Sequence, residues 1–365
     1  MTATPTIHGQ LAVSVIIPAR DEESCLGACL QSLISQTGVT FEIIVVDDHS
    51  TDRTSEIAGS FSDRGVRVIE SALLPANWTG KNNALVTGSK QARGEWLLFT
   101  DADTIHLPGS LKRAIEEAGR HKAAMLSYSP QQIVETFWEK SIMPVIFAEL
   151  AATYRPSMVS DPRSSAAAAN GQYILITREA YDAIGGHAAI ADQILEDVAL
   201  ARAVKRSGRK IFFRYAANAV RTRMYRNFAQ LREGWTKNLA LLFPTPLRLA
   251  AMRMLEFFLI GAAVAMAIAY ALQGQRSALI LSAIIAILLY GLFLKRIRRA
   301  HFSWDANALA LFGLPLFSYL LLRSQRLHQR GEVCWKGRVY SGPIARKSVC
   351  AIPPRSQGLE MNLRK

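Results

Sequence analysis

Cysteine is scarce in this chain of 365 residues. Cys25, Cys29, Cys334 and Cys350 are too few and too scattered for a disulfide framework. Cys25 and Cys29 share a helix face, where small core residues account for them better than a metal pair does. The opening MTATPTIHGQ has neither a basic cluster nor an apolar stretch. No signal peptide is expected, and residues ahead of the first membrane segment are expected in the cytoplasm. No G-x-G-x-x-G follows the first apolar run, where Pro18 stands instead, which argues against a dinucleotide-dependent oxidoreductase. Nucleic-acid reader motifs and aromatic–basic interleaving are also missing, so no nucleic-acid partner is expected. Acid is scarce at one end. Residues 1–294 carry 29 Lys/Arg against 26 Asp/Glu, whereas residues 295–365 carry 14 against 3. Most of the net charge of +14 therefore follows the longest apolar stretches, a placement that suits anionic lipid head groups.

What is abundant is apolar residue, at 50%, with a mean hydropathy of +0.12. Both are high for a fully soluble enzyme. Met254 to Leu272 and Ser277 to Leu294 are nearly uncharged, and each is long enough to cross a hydrocarbon core. A membrane hairpin is expected, with the KRIRR loop at 295–299 on the cytoplasmic side. A third run, Ala306 to Leu322, is interrupted by Gly313 and Pro315. Full crossing would place the basic tail outside, against the charge rule, so a re-entrant or surface-lying hairpin is expected there. The stretch from Phe137 to Tyr154 is broken by Glu139, Pro144 and Glu149, and is expected as an interfacial helix rather than a span. The division expected is a cytoplasmic domain at 1–245, a membrane region at 246–325 and a basic cytoplasmic tail at 326–365.

The first 245 residues alternate short apolar runs with helical patterns, which means a mainly parallel sheet covered on both faces, an α/β class. The runs are VSVIIP from Val13, FEIIVV from Phe41, VRVIES from Val66 and WLLF from Trp96, with QYILIT from Gln172 added later. Three of them stop at acids: Glu22 and Glu23 after the first, Asp47 and Asp48 after the second, Asp101 and Asp103 after the fourth. Ligands of open α/β sheets bind beyond the carboxyl ends of strands. Asp101 and Asp103, two apart, place both carboxylates on one side, a reach suited to a divalent cation and its phosphate oxygens. A loop pair capping the next helix reads equally simply from those residues alone. Glu196 and Asp197 open a later helix, where acids also complement the helix dipole.

Six segments in order carry a resemblance: VSVIIPARDEE, IIVVDDHSTDRT, WTGKNNALVTG, LLFTDADT, NGQYILITREAYDAIGGH and ILEDVALARAVKRSG. Over roughly residues 12–240 the chain resembles the family-2, inverting, nucleotide-sugar-dependent glycosyltransferases of the GT-A (Rossmann-like) fold. More narrowly, the FWEK segment, the RTRMY…GW…KN stretch and the tail WKGRVY at 335–340 look like membrane-attached bacterial enzymes of carotenoid and hopanoid pathways.

The resemblance implies that Pro18, Glu22, Asp48, Lys81 and Asp101 contact the donor. Asp103, with Asp101, would hold Mg2+ or Mn2+, and Asp197 would be the catalytic base with Glu196 beside it. Arg20 and Asp21 depart from the family's usual Tyr-Asn. Arg223, Tyr225, Trp235 and Lys237 lie where processive synthases carry Gln-x-x-Arg-Trp, a spacing this chain lacks. They are expected near the acceptor or the diphosphate, and transfer of one sugar is expected. The implied enzyme sits in the inner membrane and moves sugar from a nucleotide donor, with a leaning to UDP, to a lipid or isoprenoid acceptor. A polyprenyl-phosphate sugar synthase, a polysaccharide synthase and a catalytically silent membrane scaffold remain as alternatives.

Overall fold

The apolar runs become strands in the computed structural model, which describes residues 11–340. In chain order, β1 (Val13–Ala19), α1 (Leu26–Ile34), β2 (Phe41–Asp47), α2 (Thr54–Gly59), β3 (Val66–Glu70), α3 (Gly80–Gln91) and β4 (Trp96–Phe99) form parallel strands with crossovers, β2 and β3 on one side of β1 and β4 on the other. Next come β5 (Thr104–His106), α4 (Ser110–His121), β6 (Met125–Ser129), β7 (Gln131–Gln132), α5 (Phe137–Thr153) and α6 (Pro156–Ser160). They are followed by β8 (Ile174–Thr177), α7 (Arg178–Ala183), α8 (Glu196–Arg206), β9 (Ile211–Tyr215), β10 (Val220–Thr222) and α9 (Phe228–Leu242). The main sheet has the order β3-β2-β1-β4-β8-β6-β9, and β8 alone runs against its neighbours. A small sheet, β5-β10-β7, sits beside its edge.

β1 is apolar at successive positions because both of its faces are covered. Val13, Val15 and Ile17 pack with Leu26, Leu30 and Leu33 of α1. Ile16 faces the other way, with Ala84 of α3 and Leu200 of α8. Each such Ile or Leu, fully removed from water, contributes about 1.5–3 kcal/mol. Central strands held this firmly make a rigid base for whatever their carboxyl ends carry. α3 begins earlier than its apolar pattern suggests, because the Thr79 hydroxyl caps it by accepting from Asn82 N at 3.2 Å.

Three long helices follow: α10 (Pro246–Leu272), α11 (Arg276–Ile297) and α12 (Trp304–Arg330). All three are long and apolar enough to cross a membrane, but half of the apolar window of α12 is buried in protein against 11% for the other two. The expected break at Gly313 and Pro315 does not occur; α12 is one continuous helix. Gly313 serves a different need, since a Cβ there would overlap the Ser141 carbonyl oxygen of α5. Its bare backbone lets the two helices touch. α5 is correspondingly a core helix rather than a surface-lying one: Ile142, Met143, Val145 and Ile146 are buried with Leu314 and Phe317 of α12 and Trp235 of α9.

α12 is tied to the preceding α/β unit at both ends. Asp305 pairs with Lys140 at 2.6 Å, while Ser324 Oγ accepts from Ala240 N at 2.9 Å. α10 and α11 are tied by charge instead. Glu149 of α5 and Glu256 of α10 share Arg296 of α11, the Glu256 contact being 2.6 Å, and Arg253 meets Glu256 at 2.5 Å. After α12 the chain turns back in a hairpin, β11 (Val333–Trp335) and β12 (Arg338–Tyr340). The remainder of the basic tail, 341–365, and residues 1–10 lie outside the described residues.

Candidate active site

The strand ends are built so that one acid of each set is used for structure and another faces inward. After β2, Asp47 accepts from Ser50 N at 3.0 Å and shapes the loop, while Asp48, only 4% exposed, faces the cavity. Arg20 donates to the Asp48 carbonyl at 2.7 Å, and Asp21 accepts from Thr51 N at 2.7 Å. These two, where the chain departs from the family pattern, bind the first two loops together. After β4, Thr100 donates to Gln172 O at 2.8 Å, which turns the chain and delivers Asp101 and Asp103. Lys81, in the first turn of α3, bridges Asp101 and Glu196 at 2.7 Å each. Asp197 is fixed by backbone donors, from Gly171 N at 3.1 Å and Val198 N at 2.7 Å.

Pro18, Glu22, Asp48, Lys81, Asp101, Asp103, Glu196, Asp197, Arg223, Tyr225, Trp235 and Lys237 all line one cavity of about 1080 Å³. Residues more than two hundred positions apart are thereby brought to one place. Away from the strand ends the wall turns apolar, with Phe147, Leu150, Leu195, Phe213 and Leu242, and it reaches Arg299 and His301 in the turn between α11 and α12.

Crowded carboxylates perturb one another here. Burial, together with Asp101 and Glu22, pushes the Asp103 carboxyl up to about 7. Burial and then Glu196 push Asp197 up to about 7, against the pull of Lys81. Burial alone would lower Lys81, yet Asp101 and Glu196 hold it well above its ordinary value. Burial likewise opposes ionisation of Glu196, but Lys81 outweighs it and keeps that carboxyl below its usual range. The outcome is a carboxylate poised near neutrality, Asp197, beside a neighbour that stays charged. That separation is what proton transfer between a base and a hydroxyl needs.

The four late residues reach the cavity wall with much of their chemistry engaged elsewhere. Arg223 forms a two-pronged pair with Glu139, both contacts 3.0 Å, and meets Glu135 at 2.5 Å. Glu139 also completes the capping box of α5 with Thr136, so Arg223 secures the start of that helix. Trp235 is 3% exposed, donates to Met143 Sδ at 3.3 Å and lies edge-on to Phe147. Tyr225 packs over Gly234, where a Cβ would collide with its ring. Lys237 sits 5.3 Å from the centre of the Trp335 ring, and burial lowers its pKa.

Trp335, Lys336 and Arg338 belong to the same wall, although the sequence marks them only as part of a tail that resembles the family's. Lys336 forms an ion pair with Glu22 and donates to Arg20 O at 2.7 Å. Arg338 holds both carboxylate oxygens of Asp48, one of them at 3.0 Å. A Lys-Gly pair between two short β-branched and aromatic runs is a hairpin signal, and it was available in VCWKGRVY.

Among the described residues no three metal-ligating side chains are grouped, so the protein alone builds no cage. Mg2+ and Mn2+ do not require one when substrate phosphates supply oxygens beside one or two carboxylates. Asp103, buried and pushed up by its own burial and by the charges of Asp101 and Glu22, fits this use together with Asp101.

Residues 14–185 match Glycosyl transferase family 2. A 4,4'-diaponeurosporenoate glycosyltransferase of Staphylococcus aureus strain MRSA252 is 29% identical over 344 residues, covering 90% of this chain and 88% of that protein. Its namesake from strain USA300 is 32% identical over 240 residues, 63% of this chain and 61% of that one. Among solved structures, a mannosyltransferase from Pyrobaculum calidifontis in complex with GDP-Man and Mn2+ superposes with a TM-score of 0.52 at 17% identity, over 87% of each chain, a likeness of fold. The matched segment, the relatives and the sheet with its strand-end acids agree: residues 14–185 form a Glycosyl transferase family 2 domain, on a fold similar to that of the mannosyltransferase.

Proposed function

We propose that this enzyme moves one sugar from a nucleotide donor, preferentially a UDP-sugar, to an isoprenoid lipid acceptor with inversion, at the cytoplasmic face of the inner membrane. One observation carries the reading: Asp48, Asp103 and Asp197, from three separate stretches of chain, line one cavity whose wall also includes the apolar Phe147, Leu150, Phe213 and Leu242, and Arg299 and His301 from the turn joining α11 to α12. Relatives named for 4,4'-diaponeurosporenoate support an apolar acceptor, and a structural neighbour crystallised with GDP-Man and Mn2+ supports a nucleotide-sugar and a divalent cation.

In this mechanism Glu22 and Asp48 accept hydrogen bonds from the nucleoside, as acceptor-only carboxylates do. Asp103 and Asp101 would hold a divalent cation, which would supply Lewis-acid stabilisation of the departing diphosphate. Asp197, held by the Gly171 and Val198 amides, takes the proton of the acceptor's attacking group from the sugar face opposite the leaving group. Lys81 holds Asp101 and Glu196 in place through its two ion pairs and keeps Glu196 charged. Lacking Gln-x-x-Arg-Trp, the site offers no sign of a polymer's repeated register, in keeping with a single transfer. α10 and α11 cross the bilayer as a hairpin, and α12 runs along the domain, because both its ends are tied there. The β11–β12 hairpin is consequently on the same side as the site.

Mass spectrometry of membrane lipids from host cells with and without the gene tests this. A lipid heavier by one hexose is expected. A phosphate-linked sugar would move the assignment to polyprenyl-phosphate synthases, a ladder of masses to polysaccharide synthases, and unchanged lipids would reject lipid glycosylation.

A further inference from the structure

We propose that Lys336 and Arg338 are donor-diphosphate ligands, parked on Glu22 and Asp48 until a nucleoside claims those carboxylates. The proposal rests on the donor reading given above. The two cations lie 314 and 290 residues from their acidic partners, beyond the membrane helices, yet they reach the core of the donor site. Arg338 occupies both oxygens of Asp48, a residue with almost no exposure, so no nucleoside hydroxyl or imide can use the same lone pairs until the guanidinium leaves. Gly80 leaves the path open, because a Cβ there would collide with the Arg338 guanidinium.

The hairpin itself is anchored independently of those acids. Lys336 N donates to Glu233 of α9 at 3.1 Å, and the Trp335 ring lies beside Lys237. Its two turn residues, Lys336 and Gly337, have φ of +46° and +75°, the geometry of a tight two-residue hairpin. A lysine in that left-handed region is disfavoured where asparagine or glycine serves better, which is a reason to look for function in its side chain. Charge points to that function. Glu22, Asp48, Asp101, Asp103, Glu196 and Asp197 crowd one end of a cavity that must accept an anionic diphosphate, and Lys81 is already shared between two of them. When the nucleoside displaces Lys336 and Arg338, side-chain rotation alone turns two cations from a fixed turn toward the diphosphate.

The test uses full-length protein in detergent with Mn2+, titrated calorimetrically with UDP, GDP, CDP and ADP, and then with the nucleoside of the one that binds best. Lys336→Asn removes the cation while creating Asn-Gly, a favoured pair for this turn, and Arg338→Gln removes the other. Each variant is expected to bind the diphosphate at least about tenfold more weakly, the loss of one charge-assisted contact. Each should bind the bare nucleoside as well as the wild type or better, with Arg338→Lys recovering part of the diphosphate affinity. Diphosphate binding that is unchanged or tighter in both variants would overturn the proposal and make the hairpin a plug. Equal loss of nucleoside and diphosphate would overturn it in favour of a purely structural hairpin. A wild type that binds none of the four would instead remove the donor reading, and this proposal with it.

Discussion

Replacing Asp197 by Asn exchanges a carboxylate for an amide of the same shape and isolates the proton-accepting step. A positioned general base contributes about 10²–10⁴-fold in rate, so the variant should lose that much kcat with nucleotide binding retained. The carboxyl is pushed up to about 7 by burial and by Glu196. The base is active when deprotonated, so wild-type kcat/KM should fall by about tenfold per unit as pH drops below 7, and level off above it. The variant's residual activity should lack that limb. Stability gives the control. A carboxyl raised above its unfolded value stabilises the fold fully below the unfolded pKa, and that contribution is lost as pH climbs through about 7. Above pH 7 the amide relieves a buried charge, so Asp197→Asn should melt no lower than the wild type at pH 8. The assay is initial-rate sugar transfer between pH 5.5 and 8.5 (buffers chosen by ~0.5-unit steps), with melting followed in parallel. Wild-type rates in the variant, or a surviving limb near 7, would refute the assignment of Asp197 as base.

Other consequences follow from the same packing. Lys81→Gln removes the cation that holds Asp197 down, so the acidic limb of any remaining activity should move to higher pH in the same rate assay. Asp103→Ala should cost about a hundredfold or more in transfer and abolish stimulation by Mn2+, read by metal titration after chelation. Glu149→Gln leaves Arg296 and Arg253 to share Glu256 alone between α5, α10 and α11, and should cost about 1–3 kcal/mol, measured by thermal unfolding in detergent. Gly313→Ala forces α12 away from the Ser141 carbonyl and should destabilise by about 1–3 kcal/mol in the same measurement.

Which features could be read from sequence follows from where their causes lie. β1, β2 and β4 were visible because strands covered on both faces are apolar at nearly every position, Ser14 and Glu42 being the buried exceptions. The acids that end them were visible as a set, because a capping role explains one acidic pair but not acids at three strand ends. The reversed direction of β8 was not, since Ile174–Thr177 would pair equally well either way and only its neighbours decide. Gly313 and Pro315 suggested a break because the reason for the glycine is on another helix, at Ser141. Phe137 to Tyr154 misled in a similar way: from Ile142 to Ala148 its apolar residues pack with α12 and α9, and only its start leaves Phe137 and Trp138 exposed. Arg338 and Lys336 escaped notice because their partners stand at the other end of the chain. No local pattern reports a contact across 290 residues.

The central claim is that acids from separate strand ends meet to transfer sugar beside a membrane. It is tested most directly by following a radiolabelled sugar from nucleotide donors into lipid. Full-length protein in vesicles of the host's own membrane lipids, with Mn2+, should move label into the organic phase and release nucleoside diphosphate in equal amount. Asp103→Ala and Asp197→Asn should each suppress both. Label that stays in water, or that reaches lipid equally well with either variant, would contradict the account.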